Sequence, residues 1–83
     1  TAALEYAREG LRINCVNPGL VWTPMVQRQT VDNMEAVEKF TEEQPIGRLG
    51  EPEEIGEAVV WLCSDAASYV TGHAMNVDGG VLA

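Results

Sequence analysis

Apolar and polar positions alternate between helical spacing and continuous runs along the chain. Residues 1–9, TAALEYARE, are rich in Ala, Leu and Glu and carry no cap pattern ahead of the first apolar positions. They read as the end of a helix already under way, and the chain as part of something longer. Gly10 suits the left-handed residue that closes a helix, with Leu11 folding back toward Tyr6. Residues 11–16, LRINCV, show little polar alternation, which predicts a strand covered on both faces, as in a parallel sheet. Proline holds Asn17 extended, and the strand is expected to stop at Pro18-Gly19.

Further on, Val31, Met34, Val37 and Phe40 recur at helical spacing with Asp32, Glu35, Glu38 and Lys39 between them. This predicts one amphipathic helix over 30–42, flanked by Pro24 and Pro45 and able to move as a unit. A stronger helix start follows at Pro52, which fits the first helical position, with Glu53 and Glu54 at the positive end of the helix dipole. Ile55, Ala58, Val59 and Leu62 form its buried stripe with Trp61 beside it, and the helix is expected over 52–64. Residues 73–78 read as a second strand, stopped by Gly79-Gly80. Two buried strands separated by a long, mainly helical stretch need a crossover, which makes them parallel and the unit right-handed. The fold class is therefore α/β: a βαβ unit of a doubly wound parallel sheet, plus the tail of a preceding helix.

Composition narrows the partners. Eighty-three residues make at most one small domain, which buries only about 60% of its unfolded surface. Thirteen acidic against five basic side chains give a net charge of -8, and no two basic residues are adjacent. Nucleic acid is thereby disfavoured. The acids concentrated over 35–57 read as solvated helix faces. Cys15 and Cys63 fall in apolar patterns without metal-ligand or CxxC spacing and read as small buried hydrophobes of a reducing compartment. Apolar runs are short and no basic-then-hydrophobic leader opens the chain, so a cytoplasmic protein without membrane span is expected.

The stretch NPGLVWTPM, residues 17–25, leaves the first strand at its carboxyl end. In open α/β sheets that end is where ligands lie. Proline fixes the exit direction, glycine lets a ligand approach the backbone, the Val21 peptide offers a donor and an acceptor, and the Thr23 hydroxyl can bond an amide or a phosphate. Taken alone, the motif serves equally well as a bare turn.

Three segments in order, LRINCVNPGLVWTPM, PIGRLGEPEEIGEAVVWLCSD and SYVTGHAMNVDGG, closely resemble the C-terminal portion of short-chain dehydrogenases/reductases, and the resemblance covers nearly the whole chain. It implies a Rossmann-like sheet and NAD or NADP as cofactor. It places Pro18, Gly19 and Leu20 along the nicotinamide half of the cofactor, gives the Val21 main chain the carboxamide, and gives the Thr23 hydroxyl the carboxamide or pyrophosphate. Residues 23–45 match the mobile substrate-covering lid, which makes Trp22, Met25 and Val26 candidates for contact with a small carbonyl or alcohol substrate. By the same resemblance the last helix and strand form the surface of a homo-oligomer, a dimer or tetramer.

The departures from the family pattern are as informative. No GxGxxG occurs, and the family's Tyr-x-x-x-Lys is missing: Tyr6 is followed four places on by Gly10, and Tyr69 by His73. Neither tyrosine is expected to be catalytic. In the family that tyrosine and lysine stand on the helix whose end is matched by residues 1–9, so the chain alone is expected to be inactive. His73 has no second ligand spaced to help it, and Glu53 and Glu54, adjacent on a helix, point different ways. A small dimerising or ligand-binding module without catalysis, or a regulatory relative that binds cofactor without turnover, are the alternatives. Two strands are few for an independent domain.

Overall fold

The computed structural model describes residues 1–31 and 33–83. Helix α1, Ala2–Tyr6, runs into a 3-10 turn that ends at Gly10, whose φ of 81° takes the left-handed form. The Leu11 N–H donates to the Tyr6 carbonyl at 3.4 Å. The Thr1 hydroxyl accepts from the Leu4 N–H at 3.3 Å.

Strand β1, Cys15–Pro18, pairs in parallel with β2, Ala74–Val77, with Cys15 opposite Ala74 and Pro18 opposite Val77. The first ladder lies further along than the 11–16 expected, and the second is shorter than 73–78. The reason lies in side chains that take over the pairing before the ladder begins. Asn14 donates its amide to the Val70 carbonyl at 3.0 Å and accepts from the His73 N–H at 3.0 Å. Ile13 donates its N–H to the Thr71 hydroxyl at 3.1 Å and accepts from the Gly72 N–H at 2.8 Å. Pro18, which lacks only a donor, ends the ladder, and the next N–H, that of Gly19, reaches the Val77 carbonyl at 3.0 Å.

Between the strands come three helices: α2, Pro24–Thr30; α3, Met34–Glu43; and α4, Pro52–Cys63. One helix over 30–42 was expected where α2 and α3 stand. Thr23 caps α2, accepting from the Val26 N–H at 3.3 Å, with Pro24 at the first helical position. Asn33 caps α3, accepting from the Ala36 N–H at 3.0 Å. The cap at Asn33 starts α3 after Val31, so Met34, Val37 and Phe40 of the period fall in α3 and Val31 stays behind at the end of α2. Asp32, counted in that period, lies outside the described residues.

The crossover ends where Arg12 holds it. The last carbonyls of a helix lack intrahelical donors, and the Arg12 guanidinium donates to the carbonyls of Leu62 at 2.8 Å, Ser64 at 3.1 Å and Val70 at 3.1 Å. One side chain thereby joins the end of α4, the return toward β2 and the approach to β1.

The chain by itself buries little. Ala3, Val26, Leu62 and Ala67 are its buried apolar residues. Of the expected α4 stripe, Leu62 is buried, Ile55 and Ala58 are half-buried and Val59 is exposed. Cys15 and Cys63, expected to be buried, are both exposed. Among the described residues α4 is the helix that packs on β1, with Val16, Val59 and Leu62 lining one hollow between them; Cys15 alternates to the other face. Among the described residues no helix is long and apolar enough to cross a membrane.

Replacing Arg12 tests the clamp. In the complete protein, Arg12→Met is expected to cost about 2–3 kcal/mol, since three carbonyls lose a charged donor at once. Arg12→Lys, which cannot span all three, falls between. Urea unfolding measures both, and an unchanged midpoint for Arg12→Met would show that the clamp contributes nothing.

Candidate functional site

Past the end of β1 the chain makes one more sheet-like contact. The Trp22 N–H donates to the Gly50 carbonyl at 2.8 Å, and the Gly50 N–H donates to the Leu20 carbonyl at 3.1 Å, a single parallel bridge centred on Val21. In such a bridge the neighbours of the central residue make both bonds, so the Val21 N–H and carbonyl point to the opposite side. The carbonyl accepts from the Thr23 N–H at 2.8 Å. The Val21 N–H has no partner among the described residues.

Val21 is also one of the residues lining an open groove of about 440 Å³. The structure brings together there all five residues expected at the cofactor, Pro18, Gly19, Leu20, Val21 and Thr23, with Met25 and Val26 from the substrate set. Trp22 is not among them; it faces a different hollow, beside α3. Val26 is buried at 6% exposure, whereas Met25, at 60%, stands free at the mouth. Pro52 and Ile55 at the start of α4 complete the wall. The sequence reading missed those two, although Pro52-Glu-Glu-Ile55 was recognised as a helix start; that the start faces the first strand's exit is a tertiary fact.

Two residues carry a structural task besides the role expected of them from the sequence. A Cβ on Gly19 would lie 2.7 Å from the Asp78 Cα. Glycine is needed here because the exits of the two strands touch, whatever the groove holds. The Thr23 hydroxyl is engaged as the acceptor that caps α2, yet its own hydrogen remains to be donated. Capping fixes the rotamer and aims that donor.

Behind the bridge, Arg48 and Glu54 form a two-bond pair, Nη1 to Oε1 at 2.7 Å and Nη2 to Oε2 at 3.0 Å. Glu54 Oε1 also accepts from the Glu51 N–H at 3.0 Å, and the Glu54 N–H donates to the Glu51 carbonyl at 2.9 Å. This closes the first turn of α4 in the manner of a capping box. The Arg48 hydrogen bond, then the Glu51 N–H, hold the Glu54 carboxyl down to about 2, and the same contact raises Arg48. Glu54 therefore has a task beyond facing the helix dipole: it fixes the segment that carries Gly50. Among the described residues no cluster of side chains could hold a metal ion.

An unpaired backbone N–H, a hydroxyl hydrogen and apolar walls of Pro18, Leu20, Val26 and Ile55 suit a flat ligand that carries an amide or another acceptor. The groove has no group of its own poised to exchange a proton. It can bind and orient.

Residues 1–82 match the family described as enoyl-(acyl carrier protein) reductase. The 2,5-dichloro-2,5-cyclohexadiene-1,4-diol dehydrogenase of Sphingobium indicum is 48% identical over 83 residues, 99% of this chain and 33% of that protein. Among solved structures, the 3-oxoacyl-[acyl-carrier protein] reductase of Brucella melitensis superposes with a TM-score of 0.87 at 33% identity, covering 99% of this chain and 30% of that one. A putative 2-deoxy-d-gluconate 3-dehydrogenase of Agrobacterium tumefaciens, solved with bound NADP, does so with a TM-score of 0.85 at 38% identity, covering 98% and 32%. The chain thus spans about a third of the length of the relatives it matches.

The Arg48 pair has a pH signature. A carboxyl held below its ordinary value of 4.5 contributes stability that is complete above that value and lost as pH falls through about 2. An NMR titration of the Glu54 side-chain carboxyl is expected to give a midpoint near 2, and Arg48→Met to return it toward 4.5. A wild-type midpoint at 4.5 would dissolve the pair in solution.

Proposed function

The chain belongs to the short-chain dehydrogenase/reductase family, and on that premise we propose that it is the C-terminal portion of an oxidoreductase that moves hydride between NAD or NADP and a small carbonyl or alcohol substrate. The observation that carries this reading is the convergence of Pro18, Gly19, Leu20, Val21 and Thr23 on one groove with two unused donors, the Val21 N–H and the Thr23 hydroxyl.

The nicotinamide cofactor supplies the hydride acceptor or donor when bound. The residues of this chain hold its nicotinamide end. Val21 offers its N–H from a peptide fixed by the Gly50 bridge and the Thr23 N–H, and Thr23 offers a proton whose direction the α2 cap sets. The apolar side chains of Pro18, Leu20, Val26 and Ile55 flank both donors. Residues 23–45 serve as the substrate lid, with Met25 at the mouth as the candidate substrate contact. The proton-transfer residues belong to the remainder of the enzyme, as does the glycine-rich phosphate loop.

In this reading the exposed side chains of α4 and of the tail, Val60, Trp61, Val81 and Leu82, meet another copy in a cytoplasmic homo-oligomer. An independent binding module is less well supported, because among the described residues a two-stranded sheet with four buried apolar residues is a small core for a free-standing fold.

Two measurements test the proposal. The 83-residue chain alone is expected to show no turnover with NAD(H) or NADP(H) on a panel of ketones and alcohols, while the complete enzyme turns over with at least one of them; turnover by the chain alone would overturn the division of labour. In the complete enzyme, Thr23→Ala is expected to weaken cofactor binding by about 0.5–1.5 kcal/mol through the lost hydrogen bond. It also removes a cap worth about 1 kcal/mol to α2. Thr23→Ser keeps both. Unchanged cofactor affinity in Thr23→Ala would remove Thr23 from the site.

A further inference from the structure

Side chains alternate through Val21, Trp22 and Thr23, and the middle one goes the other way. Val21 and Thr23 face the groove. Trp22 faces an open hollow of about 290 Å³ that it shares with Val37 and Thr41 of α3 and with Arg48, Leu49 and Glu51 ahead of α4. Val37 and Thr41 are one turn apart on the half-buried face of α3, with Phe40 beside them, while Glu35, Glu38, Lys39 and Glu42 are exposed. The Thr41 hydroxyl is spent on the Val37 carbonyl at 2.9 Å, so this face offers an apolar surface. Apart from α2, no other element has extensive contact with α3 among the described residues.

Trp22 itself is held from behind. Its N–H is fixed on Gly50 at 2.8 Å, and the Arg48–Glu54 pair stiffens the opposite wall of the hollow. An aromatic ring on a rigid backbone, facing the apolar side of a helix with few other contacts, is a seat. We propose that Trp22 is a positioning residue on which α3 docks, so that the position of the lid is set by the same three residues that present Val21 and Thr23 to the groove. The proposal rests on the oxidoreductase reading for the meaning of "lid" and not for the seat itself. It replaces the expectation that Trp22 touches substrate.

Hydrogen exchange and kinetics on the complete enzyme separate these roles. Trp22→Ala is expected to raise exchange of the α3 amides about tenfold, leaving β1, β2 and α4 unchanged. It should raise KM by the same factor for small and bulky substrates while cofactor affinity holds. Trp22→Phe, which refills the seat, restores both readouts. Val37→Ala reproduces the effect from the other side, and the double variant is no worse than the poorer single one, as two halves of one contact require. Unchanged α3 exchange in Trp22→Ala and in Val37→Ala overturns the proposal, as does a KM rise that depends on substrate size. An enzyme without turnover on either cofactor would sink the oxidoreductase reading, and exchange would still decide the seat.

Discussion

Everything in this chain hangs on how a strand near its start finds a strand near its end. Arg12 solves that by holding the carbonyls at the end of α4 and at Val70, the place where the chain turns back toward β2. Asn14 then holds both Val70 and His73 through one side-chain amide. These are polar cross-links between segments fifty or more positions apart, and they set the register just ahead of the ladder. With few apolar side chains buried, direction and register come from hydrogen bonds whose geometry admits only one partner.

The register carries through to the groove. Because Pro18 pairs with Val77, Gly19 is brought against Asp78, the chain is turned outward, and Val21 meets Gly50 in a bridge that leaves its own N–H facing away. Glu54 closes the first turn of α4 and grips Arg48, so the strip containing Gly50 is fixed on its far side as well. Thr23 begins α2 as soon as Val21 has been presented. Orientation of the donors is thus inherited from the sheet, one covalent step at a time.

Much of this was legible in the sequence, for physical reasons that can be named. Pro52 with Glu53 and Glu54 marks a helix start by local chemistry, and α4 begins there. Gly10 closes the 3-10 turn that follows α1, because its backbone conformation needs no tertiary partner. Of NPGLVWTPM, Pro18, Gly19, Leu20, Val21, Thr23 and Met25 line one groove and Trp22 lines another hollow, since a turn out of the sheet does not announce which way each side chain goes. The split of the lid into α2 and α3 was readable in principle from Thr23-Pro24 and Asn33, the second of which falls inside the period from Val31 to Phe40. Arg12 was the overlooked clue: a cation inside LRINCV has to find acceptors. The burial of both cysteines was misjudged because a pattern reports what a segment can be covered by, not what this stretch of chain supplies.

The contact at Gly19 has a consequence for inheritance. A methyl group there meets the Asp78 main chain, which no rotamer change can move aside, so relief requires the strand exits to part and the floor of the groove to shift with them. Selection for folding alone would then retain glycine at this position in any descendant, including one whose groove had lost its ligand or acquired another. Its persistence would be a record of packing, and the history of the ligand would have to be read from Val21 and Thr23 instead.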